Sequence, residues 1–110
     1  MKTIVANAFS FNMFDWSKMK EVTSVTKKLS LEEFASELQQ EGWTSSVGHG
    51  DMAGLLSKMT GVEVPMNRCN DKLEVGDVLL VAQYTGPRLP EGATQLPEGA
   101  SIVFLKCEIK

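Results

Sequence analysis

The sequence has few cysteines, one histidine and no long apolar run. Its 110 residues include two cysteines, Cys69 and Cys107, which belong to no CxxC pair or Cys/His cluster. We therefore expect no metal site and no disulfide framework. No apolar run approaches the roughly 18 residues that a membrane-spanning helix needs, and the N-terminal stretch is too polar for a signal-peptide core. These absences predict a cytoplasmic protein with no membrane partner.

Clustered positive charge is also missing. Lys and Arg number 11 against 14 Asp and Glu, which gives a formal net charge of −3, and the basic residues are scattered. A protein that grips duplex DNA or long RNA shows a clustered basic face, so we expect no DNA partner. A compact anionic ligand stays compatible with this composition, because a few well-placed donors decide its binding.

The apolar pattern predicts one α/β domain over residues 1–110, with a mixed β-sheet flanked by helices. Ser30 and Glu33 form a capping box for a first helix that ends at Gly42, and Gly61 ends a second helix. The continuous apolar run 78–84 is typical of a central strand that is buried on both faces. The predicted strands cover 2–7, 21–28, 78–84 and 101–109, and the second helix covers about 51–60.

Three other segments are expected to be irregular or short. Residues 43–50 are rich in Ser and Gly and predict a turn, while 62–74 suggests two short extended pieces around Pro65. The pentapeptide LPEGA occurs at 89–93 and again at 96–100, and each copy combines Pro and Gly as turns do.

The single histidine is the first candidate for chemistry. His49 lies between Gly48 and Gly50 at the start of the second predicted helix. A helix N-terminus offers unpaired N–H groups to a phosphate, and flanking glycines let a ligand approach the backbone. A histidine there can protonate the oxygen that leaves a phosphodiester. The alternative is a histidine that only begins a helix, and the spacing alone leaves both interpretations open.

The two arginines, Arg68 and Arg88, are candidates for phosphate binding because a guanidinium holds phosphate with two parallel hydrogen bonds. The alternative is that both are surface residues, with Arg88 paired to Glu91 in one tight loop. Gln83 lies inside an apolar strand and needs a hydrogen-bond partner from the fold or from a ligand.

A polar set follows the first predicted strand. Asn7, Ser10 and Asn12 stand where α/β folds collect ligands, in the loop beyond a strand end. The same residue types also stabilise turns, which is the simpler explanation. No P-loop, dinucleotide-binding fingerprint or Ser-His-Asp arrangement occurs in the sequence. The residues therefore predict a polar cleft that suits a phosphate-bearing ligand.

Four blocks in this order resemble the viral anti-CRISPR ring nuclease family, which also has bacterial and prophage relatives. They are NAFSFNM at 7–13, SSVGH at 45–49, GVEVPMNR at 61–68 and RLPEG at 88–92. The resemblance spans nearly the whole chain, and the segment that begins VAQYTGPRLPEG is similar to the bacterial and phage branch. One departure is that ATQLPEG replaces a helix that archaeal-virus members carry after RLxEG.

The resemblance implies a cofactor-free, metal-independent nuclease that cleaves cyclic tetra-adenylate, the messenger of type III CRISPR systems. A ribose 2′-hydroxyl attacks the adjacent phosphate, His49 protonates the departing 5′-oxygen, and Glu91 assists. Glu98 lacks the preceding Arg and does not match the family's glutamate. A homodimer is implied, because its two-fold axis suits the ring. The implied ligand contacts are Asn7, Ser10, Asn12, Gly48, Arg68, Gln83 and Arg88.

Two other functions compete with this one. A sensor or sponge would bind the cyclic nucleotide without cleaving it, and only turnover would distinguish it. A small interaction protein would instead bind another protein through its loops. That function predicts that Asn7, Arg68 and Arg88 face away from any common pocket.

Overall fold

One mixed five-stranded sheet organises the chain. The computed structural model describes residues 2–67, 72–89 and 95–110. The strands are β1 (Thr3–Ala6), β2 (Ser24–Leu29), β3 (Trp43–Ser45), β4 (Val78–Thr85) and β5 (Ser101–Ile109), in the spatial order β2-β5-β4-β1-β3. β1 runs parallel to both β3 and β4, whereas β5 is antiparallel to β2 and β4. The predicted α/β class with a mixed sheet is confirmed.

Two helices begin and end close to the predicted signals. α1 (Leu31–Leu38) starts after Ser30, whose hydroxyl accepts from Glu33 N at 3.1 Å while Ser30 N donates to Glu33 Oε1 at 2.9 Å. This capping box is the predicted one, but the helix ends at Leu38 rather than at Gly42. α2 (Gly50–Thr60) ends at Gly61, whose φ of 74° is the left-handed conformation that glycine adopts without a steric penalty.

The prediction of a turn over 43–50 is wrong in its first part, because residues 43–45 form β3. Trp43, Thr44 and Ser45 pair in register with β1, so the backbone of a neighbouring strand, and not an apolar run, makes this segment a strand. Within 62–67 and 72–74, the parts of this predicted extended segment that the structure describes, Met66 and Leu73 form isolated bridges. The second LPEGA copy is a turn as predicted, with Ala100 N donating to Pro97 O at 3.1 Å.

The sheet has a different cover on each face. Both helices pack on one face, and this helix-side core contains Val5, Phe34, Leu38, Val47, Met52, Ala53, Leu55, Leu56, Val64, Leu80, Ala82, Leu89 and Phe104. The other face is covered by irregular chain, and this loop-side core contains Ile4, Ala6, Phe14, Leu73, Leu79, Val81, Cys107 and Ile109. The helices therefore flank the sheet on one side only.

β4 occupies the centre of this arrangement. Leu80 and Ala82 belong to the helix-side core, while Leu79 and Val81 belong to the loop-side core, as the alternation of a strand requires. The prediction of a central strand buried on both faces is confirmed for 79–82. Cys107 is a free, buried thiol, and Cys69 lies outside the described residues. Neither α1 nor α2 is long and apolar enough to cross a membrane, and no other described helix is either.

Candidate functional site

The site lies where three parallel strands end. β1, β3 and β4 run in one direction, so the segments that follow them meet at one edge of the sheet. Asn7 follows β1, the segment 46–49 follows β3 and leads to His49, and Gly86 follows β4 and leads to Arg88. Residues far apart in the sequence are thus brought to one place by strand direction.

A cavity of about 480 Å³ opens at this edge, within the range of roughly 300–1,000 Å³ that small-molecule sites occupy. Side chains of two kinds line it. Four of them carry an imidazole, a guanidinium, an amide and a carboxylate, while Met52, Leu89 and the ring of Tyr84 form an apolar wall. The lining residues are Asn7, His49, Asp51, Met52, Tyr84, Gly86, Arg88 and Leu89. Of the predicted site residues, Asn7, His49 and Arg88 line this cavity.

The segment that carries His49 is held from three sides. Ser46 N donates to Val5 O at 2.7 Å, which ties it to β1, and the side chain of Val47 is fully buried. The Ser45 hydroxyl donates to Pro65 O at 2.6 Å and accepts from Val47 N at 3.3 Å. This anchoring fixes the backbone at the start of α2, where His49 is the N-cap and makes no side-chain capping hydrogen bond.

Three polar side chains of the cavity keep their hydrogen-bonding groups available. Within 2–67, 72–89 and 95–110, the side chains of Asn7, His49 and Arg88 make no hydrogen bond or ion pair. His49 and Arg88 are exposed and Asn7 is half-buried. The site can therefore offer a cation, an amide and an imidazole to one ligand. The alternative pairing of Arg88 with Glu91 falls outside the described residues.

Asp51 makes the N-terminus of α2 less suited to binding an anion. Its Oδ1 accepts from Met52 N at 3.0 Å, so one of the first N–H groups of α2 is already bonded. Its carboxylate also brings negative charge to the helix end where an anion would bind. The side chains of Arg88, Asn7 and His49 are therefore better placed to bind a phosphate in this cavity than the first turn of α2 is.

The polar set after β1 separates in space. Asn7 lines the cavity, whereas Ser10 is the N-cap of a 3₁₀ turn (Phe11–Met13), with Asn12 N donating to its hydroxyl at 3.2 Å. Lys72 Nζ donates to Asn12 O at 2.5 Å. Neither Ser10 nor Asn12 lines the cavity. The Ser10 hydroxyl stabilises the 3₁₀ turn, and Asn12 takes part in these bonds through its backbone N–H and carbonyl.

The remaining predicted residues lie elsewhere. Gln83 is exposed and points to the opposite face of β4 from Tyr84, so it does not line the cavity. Gly48 precedes His49 in the anchored segment without lining the cavity. Arg68 and Glu91 lie outside the described residues. Among the residues that the structure does describe, no three His, Cys, Asp or Glu side chains are grouped as metal ligands.

Five cavity residues were not predicted as site residues: Asp51, Met52, Tyr84, Gly86 and Leu89. Met52 and Leu89 carried only a signal for the core, and Asp51 only that of a first-turn acid. Tyr84 offered the best available signal, because the chain's one tyrosine directly precedes Thr85-Gly86-Pro87, a turn sequence. Which strand face and which edge these side chains occupy depends on the pairing of β4, which no local pattern gives.

The chain matches a known family over most of its length. The sequence model of the STIV B116-like family matches residues 3–100. This chain belongs to the STIV B116-like family. Its fold is similar to that of B116 of Sulfolobus turreted icosahedral virus, with a TM-score of 0.81 and 26% sequence identity over 98% of this chain and 99% of the other.

A second viral relative is similar in sequence. Uncharacterized protein 26 of Sulfolobus islandicus filamentous virus, isolate Iceland/Hveragerdi, is 41% identical over 73 residues. The match covers 66% of this chain and 61% of that protein, so it spans less than two thirds of the relative's length. The relatives place the chain in a family of viral proteins.

Proposed function

We propose that this protein is a metal-independent ring nuclease that cleaves cyclic tetra-adenylate and so switches off type III CRISPR immunity. One observation carries the proposal: the only histidine of the chain shares a cavity with Arg88 and Asn7 at the carboxyl ends of three parallel strands. The sequence blocks that resemble the anti-CRISPR ring nucleases supply the identity of the ligand.

The side chains available in the cavity suit cleavage of a phosphodiester by its own ribose. The 2′-oxygen of the ligand attacks the adjacent phosphorus, its proton passes to solvent, and the bond from phosphorus to the 5′-oxygen breaks. His49, as imidazolium, donates a proton to that oxygen, and the Arg88 guanidinium stabilises the charge that builds on the phosphoryl oxygens. The products are linear di-adenylate species that end in a 2′,3′-cyclic phosphate.

Two residues of the proposed site enter through the family resemblance alone. Glu91 is assigned the assisting catalytic role and Arg68 a ligand contact. Glu91 belongs to the first LPEGA copy, directly after the Arg88-Leu89 pair that lines the cavity. Leu89 itself is buried in the helix-side core.

The proposal includes a two-fold homodimer with a shared cleft. A ring of four nucleotides is larger than a cavity of about 480 Å³ can enclose. Doubling the cavity about a two-fold axis would place one His49 and one Arg88 at each half of a ligand that has the same symmetry. The two His49 side chains would then lie across one continuous pocket.

The decisive experiment incubates the purified protein with cyclic oligoadenylates of several ring sizes in the presence of EDTA and separates the products. We expect cleavage of the four-membered ring under chelation. His49→Ala should slow cleavage by roughly 10²-fold or more and leave binding largely intact, the usual effect of losing a general acid. Cleavage by His49→Ala at the wild-type rate would show that His49 has no catalytic role.

The repeated pentapeptide supplies a matched control for the assisting carboxylate. Glu91 and Glu98 occupy the same position in the two LPEGA copies, but only the first copy follows an arginine. Glu91→Gln should lower the rate of cleavage, and Glu98→Gln, which changes an exposed side chain, should leave it unchanged. Equal effects of the two substitutions would contradict the assignment of Glu91.

A non-catalytic sensor or sponge remains the second candidate. It would use the same cavity and would bind the ring without producing linear di-adenylate. The third function, an interaction protein, is less well supported because it needs Asn7 and Arg88 to face apart. Both line one cavity.

A further inference from the structure

Among the described residues, three contacts attach the segment that carries Arg88 to the fold. The Tyr84 hydroxyl donates a hydrogen bond to Pro87 O, which ties the end of β4 to the residue before Arg88. Gly86 packs its backbone against Ala100, and Leu89 is 8% exposed within the helix-side core. The backbone of Arg88 is therefore held on both sides, while its side chain remains exposed in the cavity.

The Tyr84 contact is the only one of the three made by a polar side chain. Its ring packs against the helix-side core, half-buried, and the phenol reaches across the turn to the carbonyl of Pro87. The ring is rigid and its hydroxyl lies at the far end. The hydrogen bond to Pro87 O therefore limits how far the turn can move from the end of β4. A phenylalanine would keep the packing and lose only this bond.

We infer that Tyr84 is a positioning residue for Arg88: its hydroxyl holds the 85–88 turn so that the guanidinium enters the cavity already oriented. A preorganised donor stabilises developing charge more than a mobile one, because no ordering has to occur during the reaction. The effect on cleavage rests on the proposed function. The effect on the mobility of Arg88 does not.

The first test measures mobility without any ligand. The chain has only two arginines and one tyrosine, so the Arg Nε–H resonances in a ¹⁵N NMR spectrum are readily assigned. Tyr84→Phe should lower the order parameter of the Arg88 Nε–H group and speed amide exchange at Arg88. Thr85→Val, which removes the neighbouring exposed hydroxyl, is the control and should change neither. Unchanged order at Arg88 in Tyr84→Phe would overturn the inference.

The second test is a double-mutant cycle with cyclic tetra-adenylate. Tyr84→Phe should lower kcat/KM by about 3- to 10-fold, the effect of losing one hydrogen bond that orients a binding group. In an Arg88→Ala background the same substitution should have almost no effect, since Tyr84 then has no arginine to orient. An equal loss in both backgrounds would show that Tyr84 contacts the ligand directly or acts on folding, and would overturn the inference.

The two tests separate this inference from the proposed function. If the wild-type protein cleaves no cyclic oligoadenylate while Tyr84→Phe still loosens Arg88, the proposed activity fails and the positioning role stands. If cleavage occurs and Arg88 is equally ordered in both proteins, the activity stands and the positioning role fails.

Discussion

Replacing Gly86 by alanine should damage both the fold and the candidate site. Gly86 has a φ of 145°, a conformation that L side chains rarely adopt. A Cβ built at this position would lie 2.7 Å from both Cα and Cβ of Ala100. Carbon atoms pack favourably at about 3.5–4.0 Å, so the backbone of one partner would have to move.

The expected cost combines two terms. Holding a non-glycine residue in this backbone region costs about 1–3 kcal/mol, and inserting a methyl group where backbone already packs costs about 1–3 kcal/mol more. The total of about 2–6 kcal/mol is a large part of the 5–15 kcal/mol that stabilises a typical domain. At about 4 °C per kcal/mol for a chain of this size, the melting midpoint should fall by 8–24 °C.

Thermal unfolding followed by circular dichroism tests this, with Gly54→Ala as the matched control. Gly54 is exposed within α2, and a Cβ there would meet nothing within 4 Å. Its replacement should stabilise the protein by about 0.5–1 kcal/mol, because alanine loses less conformational freedom in a helix. Cleavage should also fall in Gly86→Ala below its melting range, since Gly86 lines the cavity. An unchanged midpoint for Gly86→Ala would refute the argument from packing and φ.

Further outcomes are expected at separate places in the chain. Ser30→Ala should destabilise the protein by about 1 kcal/mol in urea unfolding through loss of the capping box, whereas Ser36→Ala, on the exposed face of α1, should not. The Ser17 hydroxyl donates a hydrogen bond to Asp15 that holds the pKa of this carboxyl below its ordinary value. A second hydrogen bond from the Ser17 backbone N–H lowers the pKa further. Ser17→Ala should therefore raise that pKa in an NMR titration. A carboxyl with a lowered pKa stabilises the folded state above its unfolded-state pKa, and this stabilisation is lost as pH falls through the folded-state pKa. In Ser17→Ala the stabilisation from Asp15 should be smaller, and what remains of it should be lost at a higher pH. Light scattering should show a dimer, and a monomer that still turns over the ring would contradict the shared pocket at His49.

Local signals predicted the elements that local interactions determine. The capping box of Ser30 and Glu33 and the left-handed Gly61 depend on residues within one turn of the chain, and both are present. The apolar run 78–84 predicted a buried central strand because a strand covered on both faces has few polar residues. The Ser- and Gly-rich composition of 43–50 predicted a turn, but residues 43–45 form β3 because they pair with β1.

The candidate site was only partly accessible from the sequence. The helix-start position of His49 follows from adjacent residues, and a loop after a strand was a sound place to look for Asn7. The separation of Asn7 from Ser10 and Asn12 was not accessible, because it depends on a 3₁₀ turn that leads the chain away to the loop-side core. For Gln83, the alternation of β4 decided that it faces away from the cavity.

The sequence by itself determined where helices begin, which strand is central and which rare residues could carry chemistry. These depend on capping, backbone conformation and hydrophobic periodicity, all of which act between near neighbours. Only the tertiary structure decided that β1, β3 and β4 run parallel and end at the same edge. That shared direction brings Asn7, His49 and Arg88 into one cavity. No local pattern encodes it, because the order and direction of the strands depend on covering both faces of the sheet with residues from distant parts of the sequence.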